Sequence, residues 1–314
     1  MTNIRVISPG ILTTVQDRGR YGYQELGVPV SGAMDDLSFR LANILVGNDQ
    51  NEAELELTYS GPSLQFDADT VVAITGADMS PKLEGKVAPM YESFLVKKDQ
   101  TLSFGKLKSG IRAYIAFGGS LDVALVNGSK STQTKIKMGG FQGRPLKAKD
   151  ILKVKVNPSA TCGKVLKEKY RPKNSKFAVI RAVLGPQDDY FTQKGIHDLF
   201  VSGGYMISKE FDRMGIRLKG SKIEHKETAD IISDGTVFGS IQVPANGEPI
   251  ILMADRQTTG GYTKIATVIS ADLPKLAQMQ FLDKIIFQEV GIEEAQEITC
   301  KYEENFKNII ESLI

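Results

Sequence analysis

Six short segments of this chain place glycine beside arginine, aspartate, glutamine or tyrosine. They run Thr13–Gly22, Val28–Asp35, Gly128–Thr132 with its continuation Gly139–Arg144, Asp212–Gly220, Gly239–Gly247 and Asp255–Tyr262. Any one of them reads as a tight turn, where glycine supplies positive φ and Asp or Asn folds back on the backbone. Their recurrence points further. Glycine lets a ligand approach backbone N–H groups, while Arg, Gln and Tyr side chains read carboxylate, phosphate and carboxamide oxygens. The chemistry implied is recognition and electrostatic stabilisation of a small oxygen-rich molecule. Loops from both halves of the chain are expected to converge on one polar pocket.

Other chemistries are poorly served. His197 and His225 cannot combine with the distant Cys162 and Cys300 into an ordinary zinc site, although a carboxylate site for Mg²⁺ bridged by phosphate stays open. No Gly-x-Ser-x-Gly elbow occurs, so a conventional hydrolase triad finds no anchor. Gly128-Ser-Lys-Ser-Thr132 invites comparison with a phosphate-binding loop, but that motif needs glycines one and six residues before its lysine. Lys130 has Ser129 and Ala124 there. Lys137-Met138 follows Ile136 where a biotin-carrying lysine would follow methionine.

Elements must hold these clusters in place, and the apolar pattern says which. Thr70–Thr75, Ile111–Phe117, Phe177–Leu184 and Pro249–Met253 are short, Val- and Ile-rich, and bounded by turn residues, which signals strands. A turn-then-strand unit recurs at Lys98-Asp99, Lys149-Asp150 and Leu282-Asp283, suiting barrels or sandwiches better than a parallel α/β sheet. The fold expected is mainly β with a few helices. Met34–Val46 has a helical apolar face and a stop at Gly47; a short helix should follow Asp272 as N-cap, with Pro274 in its first turn. A last helix is predicted over 291–314. The polar, Lys-rich stretch 161–174 reads as a linker between domains at 1–160 and 175–290.

At 314 residues two domains are the natural expectation. Lys plus Arg is 39 against 37 Asp plus Glu, a balance that gives no general attraction for nucleic acid or anionic membrane. Two distant cysteines read as free thiols in a reducing compartment, and the N-terminus carries no signal-like apolar run, so the cytoplasm is expected.

The segments QDRGRYG, VPVSGAMD, LANILVGN and LELTYSGPSLQF resemble the N-terminal half of the allophanate hydrolase subunit 2 family. GSKST, GGFQGRPL, FDRMGIRLKG, SIQVPANGEPI and ADRQTTGGYTKIATVISADLPKLAQ continue the resemblance in order, over almost the whole chain. It implies two cyclophilin-like β-barrel domains plus the C-terminal helix. It also implies the C subunit of an ATP-dependent 5-oxoprolinase, which with a subunit-B partner activates the lactam of 5-oxoproline, the A subunit joining in ring opening to glutamate. Two other roles occur in the family. One is a regulatory protein antagonising a subunit-B-like histidine-kinase inhibitor; the other is a biotin-dependent carboxyltransferase component acting on urea or another small amide. A chain without a biotin carrier segment fits the oxoprolinase role better.

On this reading Asp17, Arg213 and Asp255 are the catalytic candidates, the two aspartates orienting the amide or holding Mg²⁺ with phosphate and Arg213 contacting carboxylate or phosphate. Gln16, Arg18, Arg217, Gln242, Gln257 and Tyr262 are the substrate-binding candidates, and Lys130, Ser131 and Thr132 the candidates for ATP. Lys130 stands where the family usually carries Arg, keeping the charge without the bidentate fork. Lys149 and Leu282 stand where it carries Gly before the Asp of a barrel-closing turn.

Overall fold

A computed structural model describes residues 1–313. The chain is mainly β and divides into two compact units. The first comprises Met1–Tyr21, Ser31–Asn174 and the chain from Lys307; the second comprises Gly22–Val30 and Ser175–Phe306. Among the described residues no helix is long and apolar enough to cross a membrane, and Cys162 and Cys300 are exposed and unbridged.

In the first unit the strands form an antiparallel seven-stranded sheet and an antiparallel five-stranded sheet. Alternation does the work in the seven-stranded sheet: Thr2–Ser8 buries Thr2, Ile4 and Val6 and exposes the residues between. The five-stranded sheet, ordered Leu12–Gln16, Glu54–Thr58, Ser109–Phe117, Thr70–Asp78, Ser93–Val96, is buried on both faces over most of its area, with Leu95 of the edge strand exposed. One face gives Val15, Leu55, Leu57, Ile74 and Ile115 to the apolar core. The other carries Thr14, Gln16, Glu56, Tyr114 and Thr75, and helix Asp36–Val46 lies against it, Thr75 Oγ1 donating to the Ser38 carbonyl at 2.6 Å. That helix starts two residues later than the apolar pattern suggests. Asp35 is its N-cap, accepting from Ser38 N at 3.0 Å, and Gly47 ends it at φ 80°.

The second unit is a closed seven-stranded barrel, ordered Phe177–Leu184, Lys264–Val268, Ser240–Gln242, Ile250–Leu252, Gly215–Lys219, Tyr205–Phe211, Lys284–Glu289. The last strand closes on the first in parallel; the other pairings are antiparallel. A separate two-stranded ribbon, Asp230–Gly235 with Thr259–Tyr262, belongs to the same unit. Helix Gln193–Val201 has no counterpart in the sequence reading. Its short length and its Gly195, which packs on the Glu224 carbonyl, hide the periodicity. The terminal helix runs Ile292–Glu311.

Two local expectations change. Segment 161–174 is bound to the first unit: Ser93 N donates to Lys164 O, Leu166 N donates to Tyr91 O, and Leu166 is buried. Asp272 precedes helix Leu273–Ala277 but its side chain does not cap it. The buried carboxylate instead accepts from Arg181 Nε and Nη2 at 2.8 and 2.7 Å and from Lys275 at 2.7 Å. Burial alone would raise this carboxyl; the Arg181 and Lys275 hydrogen bonds outweigh it and hold it below its ordinary value.

Lys149 and Leu282 both take the left-handed conformation, at φ 74° and 70°, that glycine adopts without a Cβ penalty. Leu282 is largely exposed, so its side chain returns little burial for that strain. Replacing Leu282 by Gly is expected to raise stability by about 0.5–1 kcal/mol in denaturant unfolding, the αL relief net of glycine's entropy cost.

Candidate functional site

A cavity of about 530 Å³ opens on the outer side of the barrel in the second unit. Arg217, Gln242, Gln257 and Tyr262, all singled out from sequence, line it together with Gly261. Phe211, Met214, Ile250 and Leu252 supply apolar wall, and Lys209, Glu210 and Asp212 add charge.

Strand register explains the convergence. Arg217 pairs with Ile250, and Ile250 pairs with Gln242, so the three form one row across neighbouring strands. Residues directly paired in a sheet share a face, and Ile216, Leu218, Ile241 and Ile251 occupy the buried interior face. The Arg217 and Gln242 backbones are two inter-strand steps apart, about 10 Å. Gln242 is only 2 % exposed. Its Nε2 donates to Tyr262 O at 3.4 Å, and its Oε1 accepts from Gln257 Nε2 at 3.4 Å. This leaves Gln257 Oε1 as an acceptor and one N–H of each amide as a donor, with no partner among the described residues. Gly260 makes the arrangement possible, because a Cβ there would stand 2.4 Å from Gln242 Nε2.

Arg213 and Asp255 lie in the same unit but are committed to each other. Arg213 Nε and Nη2 donate to the two Asp255 oxygens, each at 2.9 Å, and Asp255 N donates to Arg213 O at 2.7 Å. Both side chains are buried. A buried fork-to-carboxylate pair of this kind fixes two loops to one another. Arg217 differs. It is half exposed, and its Nε contacts Glu210 at 3.2 Å.

The remaining candidates belong to the first unit. Asp17 is a clamp. Its Oδ1 accepts from Gly19 N at 2.8 Å, from Ser129 Oγ at 2.7 Å and from Ser131 Oγ, while Oδ2 accepts from Lys130 N at 2.6 Å. Arg20, fully buried, donates to Val126 O and Ser131 O from the other side. Lys130 Nζ donates to Glu52 and Ser120 at 2.8 and 2.6 Å. Thr132 donates through both N and Oγ1 to Val15 O. The loop expected to cradle ATP therefore spends its donors on its own chain, and a phosphate group does not fit it. Arg18 is exposed and pairs with Asp36 at 3.1 Å.

No group of three or more His, Cys, Asp and Glu placed to hold a metal ion occurs among the described residues. Asp17 is saturated by four donors of its own chain and does not fit the Mg²⁺ role expected of it, while Asp255 has each oxygen engaged by Arg213.

One buried acid escaped the sequence reading. Glu54 is fully buried, and neither of its carboxyl oxygens has a hydrogen-bond partner among the described residues. It pairs in register with Gln16, whose Nε2 donates to Thr14 Oγ1 and Thr132 O and whose Oε1 is also unmet. Burial first, and Glu56 second, push the Glu54 carboxyl well above its ordinary value, so it is held as the neutral acid. Glu56 itself accepts from Met34 N at 2.8 Å and Tyr114 Oη at 2.7 Å.

Barrel, ribbon and amide-lined cavity define a mainly β protein. The chain belongs to the family described as carboxyltransferase domain, subdomain A and B, which matches residues 26–289. It is 36 % identical to the C subunit of 5-oxoprolinase from Escherichia coli over 296 residues, 93 % of each chain. The corresponding 5-oxoprolinase C subunit of Haemophilus influenzae is also 36 % identical, over 92 % of each. Among solved structures, the Kluyveromyces lactis urea carboxylase superposes with a TM-score of 0.91 at 32 % identity. That match covers 98 % of this chain and 29 % of the other, so the chain spans less than a third of the larger enzyme.

Replacing Glu54 by Gln is expected to stabilise the protein increasingly as pH rises. The unfolded glutamate ionises from about pH 4.3 while the folded one keeps its proton, so wild type loses stability upward from there towards the folded group's own raised value. Thermal unfolding across this range should give a difference that widens by up to about 1.4 kcal/mol for each pH unit above about 4.3, until the folded group itself ionises. A pH-independent difference would contradict a neutral acid.

Proposed function

We propose that this chain is the C subunit of an ATP-dependent 5-oxoprolinase, and that its pocket holds the lactam for ring opening to glutamate. One observation carries the reading: a paired glutamine amide presenting both a donor and an acceptor stands in one strand row with a half-exposed arginine. A lactam offers an N–H donor beside a carbonyl acceptor, the complement of those groups. The carboxylate of 5-oxoproline sits on the ring carbon next to that nitrogen, and the Arg217 guanidinium gives it a charged partner. Tyr262, at the rim, covers the ring. The similarity to two 5-oxoprolinase C subunits over nearly their full lengths supports the same reading.

Lactam carbonyls are poor electrophiles, and ATP supplies the activation when bound. In this reading the phosphoryl donor and Mg²⁺ are held by the assembled complex with the subunit-B partner, because the Ser129–Thr132 loop is occupied by its own chain. This chain binds the lactam, fixes the direction of its carbonyl and balances the carboxylate charge. The A subunit then takes part in ring opening.

A second reading, a carboxyltransferase component for another small amide, draws on the fold shared with urea carboxylase. It requires a biotinylated partner, and avidin blotting of copurified complexes distinguishes it.

The test is 5-oxoproline-dependent ATP turnover by the chain purified with its B and A partners. In that assembly Arg217→Ala is expected to raise KM for 5-oxoproline about 10- to 100-fold with little change in kcat, the loss of one charge-assisted contact. Gly260→Ala is expected to fold normally, since its Cβ meets only the end of a flexible side chain, yet to displace Gln242 and cut kcat/KM about tenfold or more. Absence of 5-oxoproline-dependent turnover in the wild-type assembly would refute the proposal.

A further inference from the structure

The strand row that carries Arg217, Ile250 and Gln242 has a fourth member. Gln242 pairs with Lys264 on the next strand, although Ile241 pairs with Ala266, so the ladder slips by one residue at Ile265. A bulge of this kind re-aims the side chain beyond it. It brings Lys264 alongside Gln242, out of the apolar series formed by Ala266 and Val268.

The Lys264 side chain is only 3 % exposed, a costly place for an ammonium unless it is paired. Its Nζ donates to Asp234 Oδ2 at 2.7 Å. Asp234 lies on the two-stranded ribbon, is 53 % exposed, and also accepts from Gln187 Nε2 at 3.2 Å and from Gly235 N at 2.7 Å. Gln187 completes the connection by accepting from Lys264 N at 3.1 Å. The Lys264 hydrogen bond, followed by those from Gly235 and Gln187, holds the Asp234 carboxyl below its ordinary value.

Asp234 is paired in register with Gly260, where a Cβ would stand 2.4 Å from Gln242 Nε2 and 3.4 Å from Gln257 Nε2, so its bare backbone lies beside both amides. These contacts close a circuit: Gln242 to Lys264 through the barrel ladder, Lys264 to Asp234 through the ion pair, Asp234 to Gly260 through the ribbon, and Gly260 back to Gln242. Thr236 Oγ1, just past the ribbon strand, donates to Gln257 O at 2.5 Å and adds a second tie.

We propose that Lys264 and Asp234 are positioning residues for the pocket, their ion pair pressing the ribbon onto the barrel and so fixing the directions in which the Gln242 and Gln257 amides face a ligand. Neither side chain lines the cavity, so they act through the glutamines. The inference rests on the lactam-reading role given to those amides, and its test separates the two. A buried lysine in a purely structural role would be replaceable by an apolar side chain of similar length without effect on the pocket; a positioning lysine would not.

The experiment compares Lys264→Met, Asp234→Ala, Asp234→Glu and the Lys264→Met/Asp234→Ala double variant, each as the full chain. The readouts are hydrogen exchange at the amides of Thr259–Tyr262, the side-chain amide NMR signals of Gln242 and Gln257, and titration with 5-oxoproline. Each disrupting single variant is expected to speed ribbon exchange, shift both glutamine signals and weaken 5-oxoproline binding about tenfold. The double variant should be no worse than the poorer single, because both remove one interaction. Asp234→Glu, at an exposed position, should restore binding. Unchanged exchange and glutamine signals in both single variants would overturn the inference. So would additive losses in the double variant. If wild type does not bind 5-oxoproline, the functional reading fails, while exchange and the glutamine signals still decide whether the pair positions the amides.

Discussion

A buried glutamine amide with four hydrogen-bonding positions is the constraint around which the second unit's pocket is arranged. Gln242 lies on the outer face of a closed barrel, where an unmet polar group would cost about 1–3 kcal/mol. Its neighbours answer that demand in part: the Tyr262 carbonyl accepts, the Gln257 amide donates, and Gly260 gives up a side chain to leave room. What remains unmet faces the cavity. The same row then extends to Arg217 on one side and Lys264 on the other, so a single strand register sets the spacing between the amide reader and its charged flanks.

The first unit uses similar residues for a different end. Asp17 accepts from Ser129, Lys130 and Ser131, and Arg20 donates to the Ser131 carbonyl, so the loop is turned in upon its own chain. Beneath helix Asp36–Val46 the sheet carries a polar layer in which Glu56 and Tyr114 are bonded and Glu54 is not. Strand alternation such as Glu54-Leu-Glu56-Leu ordinarily marks a half-exposed strand. Here the polar face is covered by other parts of the chain, Gln16 beside Glu54 donating to Thr132 O, and the acid that would have met water is kept neutral instead.

The mainly β character was legible from Val- and Ile-rich runs punctuated by turn residues, and the helix before Gly47 from its apolar face. Gln242, Gln257, Arg217 and Tyr262 were legible as ligand-reading residue types beside glycine. The boundary of segment 161–174 was not, because a Lys-rich surface and a Lys-rich linker look alike until Leu166 is seen buried against Tyr91. Arg213 and Asp255 carry the residue types of a catalytic pair, yet they bond bidentately to each other. Charge and glycine spacing report what a side chain is able to contact, not which partner is nearest.

From the sequence alone came the class of fold, the glycine-bordered clusters and their resemblance to one family across nearly the whole chain, since these depend on local periodicity and on residue order. Only the tertiary structure decided which clusters are occupied by their own chain and which still offer hydrogen-bonding groups. That division turns on strand register: a one-residue slip at Ile265 brings Lys264 beside Gln242, and no local pattern records where a ladder slips.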